Sequence, residues 1–155
     1  MSGTVVTIYT SASTDASMQS CEPAVLVAGR GIEGDRYFSG HGTFSELLKG
    51  KPAAELTLIE KEEIDSFNRE YGQSMAYGDF RRNIVTQNIR LNDLVGKTFF
   101  IGNTEVKGIK LCEPCAHLAK TVNPLVLPHM LGRSGLRAQI ISNGVVKQGD
   151  KLTVV

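Results

Sequence analysis

The chain has 155 residues, enough for a single domain with a real core and too few for two full ones. Hydrophobic residues make up 41% and charged residues 21%, the balance of an ordinary globular protein and not of a disordered one. A formal charge of +1, from 17 Lys and Arg against 16 Asp and Glu, excludes a general basic field for nucleic acid and an acidic tail.

In chain order, Thr4 to Tyr9 reads as a strand, and the Ser/Thr/Ala stretch Thr10 to Ser20 as a loop. A short apolar run, Ala24 to Ala28, leads into a long glycine-laden segment, Gly29 to Gly50. A loop of that length inside a compact domain is usually functional or mobile. Leu56 to Ile59 is strand-like. Lys61 to Tyr71 is the clear amphipathic helix, with Ile64, Phe67 and Tyr71 on one face and Gly72 as its stop. Phe80 to Thr86 reads as a strand and Leu91 to Leu94 as a turn. Thr98–Ile101 and Thr104–Leu111 are strands joined at Gly102-Asn103, and Cys115 to Lys120 starts a helix that Pro124 and Pro128 keep short. Leu136–Ser142 and Val145–Val155 are expected to form a closing hairpin through Asn143-Gly144. Many short strands separated by turns imply a mainly β fold, a barrel or sandwich with small helical insertions, in one domain over 1–155.

No apolar run reaches membrane-spanning length, and no basic residue precedes Arg30, so neither a membrane span nor a signal peptide is expected. Three cysteines, Cys21, Cys112 and Cys115, cannot all pair within the chain, which points to reduced thiols and a cytoplasmic setting.

Gly29-Arg30-Gly31-Ile32-Glu33-Gly34 matches the dinucleotide fingerprint literally, but Gly40, Gly42 and Pro52 deny the helix that the fingerprint requires. A loop is the expectation, with Asp35 and Arg36 held at its end for polar contacts. Cys112-Glu113-Pro114-Cys115 is the sharpest signal. A thiol ahead of a helix feels the positive end of the dipole, which favours the thiolate, the form that binds soft metals or takes up sulfur. The other readings are a zinc site, a redox dithiol and two inert buried cysteines. Zinc needs more ligands than Cys21, His41, His117 and His129 readily supply, and the dithiol reading lacks its βαβ frame. His117, two residues past Cys115, faces another way on a helix and reads as a surface or core histidine. Arg81 and Arg82 start a strand, where alternation lets at most one of them face any given site; a guanidinium there suits an anion such as phosphate. Arg133-Ser134-Gly135-Leu136-Arg137 is a basic glycine turn whose backbone N–H groups can cradle an anion. Together these residues outline an anion pocket beside a thiolate.

These segments, in this order, resemble the MOSC family, named for the C-terminal domain of molybdenum cofactor sulfurase. The resemblance rests on Gly31-Ile32-Glu33-Gly34-Asp35-Arg36-Tyr37, Leu56-Thr57-Leu58-Ile59-Glu60 and Arg81-Arg82-Asn83-Ile84-Val85-Thr86. It continues through Leu94-Val95-Gly96 with Ile101-Gly102, Leu111-Cys112-Glu113-Pro114-Cys115, Gly135-Leu136-Arg137-Ala138, and Asn143-Gly144 with Gly149-Asp150. It implies a MOSC-type β-barrel with a few short helices and binding of the molybdenum cofactor, molybdopterin. The family's cysteine maps onto Cys115, as a molybdenum ligand or a persulfide carrier, with Cys112 as its partner. Asp35, Arg36, Arg82, Asn83, Arg133, Ser134 and Arg137 stand where cofactor contacts are expected.

The pyridoxal-phosphate domain of the fused sulfurases and the extra N-terminal domain of the amidoxime-reducing members are not expected within these 155 residues. The implied partners are therefore separate proteins: a cysteine desulfurase, an electron donor for reduction of N-hydroxylated compounds, or a molybdoenzyme served by an accessory module. Nucleic acid and membrane are not expected as partners.

Overall fold

The structure is a computed structural model and describes residues 2–155. Its strands are β1 (Ser2–Thr10), β2 (Gln19–Ser20), β3 (Ala24–Val27), β4 (Gly31–Ile32), β5 (Leu56–Glu60), β6 (Ile84–Gln87), β7 (Thr98–Ile101), β8 (Thr104–Leu111), β9 (Leu136–Ile140), β10 (Gly144–Val146) and β11 (Lys151–Val154). The helices are α1 (Arg36–Ser39), α2 (Lys61–Tyr71), α3 (Ala116–Thr121) and α4 (Val126–His129). Among the described residues no helix is long and apolar enough to cross a membrane.

Seven strands close into a barrel in the order β11-β7-β8-β9-β5-β6-β1, with β1 pairing back onto β11. Every barrel pairing is antiparallel except β5 with β6, whose parallel partnership is made possible by the α2 crossover. β5 is buried on both faces for that reason. Leu56 and Leu58 point into the barrel with Val5, Ile84, Phe99 and Leu136. Ile59, on the opposite face, packs in a second core with Ile64 and Phe67 of α2, Leu118 of α3 and Val126 of α4. A three-stranded sheet, β10-β3-β4, stands beside the barrel.

The amphipathic stretch forms α2 over the expected residues, and Gly72 ends it at φ 63°, a left-handed position that glycine adopts without strain. β7 and β8 pair through Gly102-Asn103 as their turn residues imply. Gly29, Gly31 and Gly34 all take positive φ, and no helix begins inside the fingerprint match, so that segment is a loop.

Two expectations are corrected. The strand read from Phe80 begins only at Ile84, because Arg81 takes φ 62° in a turn closed by its N–H on the Gly78 carbonyl. The closing hairpin does not form. β10 pairs with β3, and β11 with β7 and β1, while β9 lies between β5 and β8. The Lys147–Asp150 turn, in which Asp150 Oδ2 accepts the Lys147 N–H at 2.9 Å, splits the segment after Gly144 into two strands with different partners.

Glu60 ends β5 and is 9% exposed, with Oε2 accepting the Leu91 N–H at 3.1 Å. Burial pushes its carboxyl above the ordinary 4.5, and the Leu91 N–H and the Arg90 charge pull it only part of the way back. Above the ordinary value the folded chain keeps a proton that the unfolded chain releases. Its contribution to stability is therefore lost as pH rises through the folded-state value. Glu60→Gln is expected to flatten the decline of Tm with pH from mildly acid toward neutral solution, measured by thermal melts across that interval; a slope identical to wild type excludes this account.

Candidate functional site

Beyond β8 the chain runs through Cys112-Glu113-Pro114-Cys115 into α3, and its path is held from outside. The Cys112 N–H donates to Gly135 O at 2.8 Å, and the Cys112 carbonyl accepts from Ser134 Oγ at 2.8 Å. Arg82 spans the gap: Nε donates to Ser134 O at 2.9 Å, Nη1 to Phe80 O at 3.2 Å, and Nη2 to the Cys112 and Glu113 carbonyls, each at 3.2 Å. Glu113 Oε1 accepts the Gly132 N–H at 2.7 Å. Gly135 lies so close to β5 that a Cβ there would collide with Leu58 O, so only glycine fits.

Cys115 is the N-cap of α3, and its Sγ accepts the Leu118 N–H at 3.4 Å. It is half-buried: it packs against the second core, and it lines two adjoining depressions. The narrow one, of about 30 Å³, is walled by Arg36, Tyr37, Phe44, Arg81, Arg82 and Arg137. The wider one, of about 390 Å³, shares Cys115, Arg137 and Phe44 and opens toward Leu47, Lys110 and Glu113. Strand alternation sets this up. Leu56, Leu58, Leu136 and Ala138 face the barrel interior, so Thr57 and Arg137, which are register partners, face the narrow pocket.

The four guanidinium groups differ in what they hold. Arg81 is committed to the loop before β2, donating to the carbonyls of Ala16 at 2.8 Å and Thr14 at 2.9 Å. Burial, reinforced by the nearby Arg36 charge, lowers its pKa. Arg36 pairs with Asp35 at 3.1 Å and donates to Arg81 O at 3.0 Å. Arg82 is spent on carbonyls. Arg137 is 8% exposed and makes one protein hydrogen bond, to Ala53 O at 3.3 Å, with the rings of Tyr37 and Phe44 within 5.8 and 5.5 Å. Among the described residues no carboxylate pairs with Arg81, Arg82 or Arg137.

Of the residues singled out from sequence, Arg36, Arg82, Arg137 and Cys115 share the narrow pocket. Asp35 stands behind it, capping α1 through the Tyr37 N–H and accepting the Ser11 N–H. Asn83 is buried between strands, where Oδ1 accepts from the Thr57 N–H and hydroxyl and Nδ2 donates to Tyr9 O. Cys112 is 1% exposed and outside the depressions that Cys115 lines. Arg133 is turned to the far side, paired with Glu63 at 3.3 Å and Glu70 at 3.5 Å. The turn expected to offer its backbone to an anion is a buried brace, since Ser134 and Gly135 are both enclosed and tied to Cys112.

Sequence reasoning allowed only one of Arg81 and Arg82 to face the site, and it missed Tyr37, Phe44 and Thr57. Both arginines of the pair reach the pocket because the left-handed Arg81 lies outside the strand, which removes the alternation rule. Thr57 was legible as the outward position between Leu56 and Leu58; Phe44 has no local signal. His117 also lines the pocket, from its wall on α3.

The different bonding of the two buried arginines has a measurable result. Arg82→Met removes a donor from four carbonyls, of which that of Cys112 keeps Ser134 Oγ, and is expected to cost about 3 kcal/mol in urea unfolding. Arg137→Met removes a buried charge that has no acid partner and is expected to be neutral or stabilising in the ligand-free protein. Equal losses in the two variants would refute the assignment of one as a strut and the other as an open cation.

The barrel is shared with solved structures. The YuaD protein of Bacillus subtilis superposes with a TM-score of 0.82 at 15% identity, over 99% of this chain and 96% of that one. YiiM of Geobacillus stearothermophilus gives 0.74 at 17% identity, over 99% and 75%. YiiM of Escherichia coli gives 0.70 at 19% identity, over 100% and 70%. No curated protein matches the chain. The family model for the MOSC domain matches residues 46–153, which span β5 to β11 and include Cys115 and Arg137, and the chain belongs to the MOSC domain family.

Proposed function

We propose that this protein binds the molybdenum cofactor with the Cys115 sulfur on the metal and Arg137 toward the cofactor's anionic part. The family is associated with molybdenum cofactor binding. The observation that carries the reading for this chain is a buried guanidinium without a carboxylate, on the same pocket wall as a half-exposed thiol. A buried cation without an acid is costly in the empty protein and is relieved by an anionic ligand.

The donor set fits. Among the described residues no group of three or more His, Cys, Asp or Glu is arranged to hold a metal. A metal at Cys115 must therefore arrive with ligands of its own, and a pterin dithiolene supplies them, leaving a position for one soft sulfur. The narrow pocket has room for little more than a water-sized group, so the body of the cofactor belongs in the wider depression on the other side of Cys115.

When bound, the cofactor supplies two-electron redox chemistry at the metal. The chain does the rest. Arg82 fixes the loop that presents Cys115, Arg137 and Arg36 attract negative charge, and the Tyr37 and Phe44 rings limit water around Arg137. In this reading the protein reduces an N-hydroxylated or N-oxide substrate with electrons from a separate donor protein, or carries the cofactor to another enzyme.

Protein purified without oxygen from cofactor-replete cells is expected to contain molybdenum and to yield the fluorescence of oxidised pterin. Cys115→Ala is expected to lose the metal while staying folded, its Tm lowered by a few degrees through loss of the α3 cap, and Arg137→Met to lose pterin as well. Metal-free wild-type protein with full biological activity would end the proposal.

A second reading follows from the same sulfur. The half-exposed Cys115, with an N–H on its Sγ, is also placed to carry a persulfide from a cysteine desulfurase. Release through Cys112 requires that side chain to leave its buried position. Intact mass after desulfurase treatment decides it: a gain of one sulfur atom in wild type and none in Cys115→Ala supports the carrier, and no gain in wild type excludes it.

A further inference from the structure

A larger cavity, of about 460 Å³, lies on the other side of Tyr37, whose side chain lines both. That volume is in the range of small-molecule sites. Its walls include Gly29, Arg30, Phe38, Lys49, Lys51 and Glu55. Nothing in the cofactor reading uses it.

Glu55 is the unusual member. It is 6% exposed, and its Oε1 accepts both the Gly29 N–H at 3.1 Å and the Ile140 N–H at 3.0 Å. Those bonds clamp the β3–β4 turn to β9, and one oxygen suffices for them. Oε2 has no hydrogen-bond partner among the described residues, and no Lys or Arg pairs with the carboxylate. It is nevertheless not sealed in the core, where Thr104 Oγ1 is the unpartnered side-chain atom among those residues. Glu55 lines the cavity, so the incompletely sealed Oε2 is the atom it can present there. Burial raises the Glu55 pKa, as for a carboxylate short of partners.

The opposite charge gathers toward the mouth. Arg30, Lys49 and Lys51 are exposed, and the Arg30 guanidinium lies 4.1 Å above the Phe38 ring, a flat wall on which a planar group can stack. A complementary ligand carries one N–H donor at its deep end, because a single free oxygen waits there. It carries a planar body, and an anionic group at its outer end.

We infer that this cavity is a second ligand site, for a phosphorylated planar heterocycle bearing an exocyclic amine, of which an amino-substituted mononucleotide is the simplest kind. Glu55 selects the amine, and the Arg30, Lys49 and Lys51 cations hold the phosphate.

Titration calorimetry on the metal-free full chain tests it with adenosine monophosphate and purine riboside monophosphate, which lacks the exocyclic amine and offers no ring N–H in its place. Wild type is expected to bind the adenosine form at least about tenfold more tightly, the worth of one charge-assisted hydrogen bond. In Glu55→Gln the side-chain oxygen stays on the two backbone N–H groups and the amide NH2 replaces Oε2, so the preference for the amine-bearing nucleotide is expected to be lost. Lys49→Ala combined with Lys51→Ala is expected to weaken both nucleotides alike and to abolish competition by inorganic phosphate. Cys115→Ala is expected to change none of these values, which keeps failure here separate from failure of the cofactor reading. No saturable binding of adenosine monophosphate, or an unchanged preference in Glu55→Gln, overturns the inference. Should Glu55→Gln not fold, equal affinities of wild type for the two nucleotides overturn it just as well.

Discussion

Arg82 stands where the barrel wall meets the cysteine loop, with a buried guanidinium surrounded by carbonyls of Phe80, Cys112, Glu113 and Ser134. In a medium of low polarity such a cation is held by oriented dipoles rather than by an acid. Its flat fork sets the spacing of three chain segments at once. The next residue works in the opposite direction, since Asn83 ties β5 to β1 through Thr57 and Tyr9. Two consecutive side chains thus fix the barrel on one side and the loop on the other. The position of the Cys115 sulfur is a consequence of both.

The near-neutral net charge conceals a segregation. Along α2 the charges are matched: Glu60 and Glu63 meet Arg90, and Glu63 and Glu70 meet Arg133. Of the four arginines that line the narrow pocket beside Cys115, only Arg36 is paired with a carboxylate, that of Asp35. Composition therefore rightly excludes a general basic field while saying nothing of a local one. Local excess of one sign over a low-dielectric wall is what makes a small pocket attract an anion.

What could be read from sequence was what depends on near neighbours. The 3.6-residue spacing of Ile64 and Phe67 gave α2, and the Gly102-Asn103 turn gave the β7–β8 pair, because in each case the partners lie within a few residues. Cys115 as the start of a helix was legible for the same reason. Asn143-Gly144 carried as strong a local signal, yet the strand after it pairs with β3, more than a hundred positions earlier in the chain. Tertiary pairing overrides a turn preference there. The burial of Cys112 beside an open Cys115 depends on Arg82, Ser134 and Gly135, all distant in sequence, so the spacing of the motif alone does not distinguish the two thiols.

Tyr37 belongs to the wall of the thiol pocket and to the wall of the larger cavity. Its ring also sits 5.0 Å from the Arg36 guanidinium and 5.8 Å from that of Arg137. A side chain with two faces cannot tilt to suit an occupant on one side without altering the space and the charge on the other. Any such influence must be equal in both directions, whichever compartment fills first. One phenol ring thereby makes two depressions on the outside of this small barrel thermodynamic neighbours.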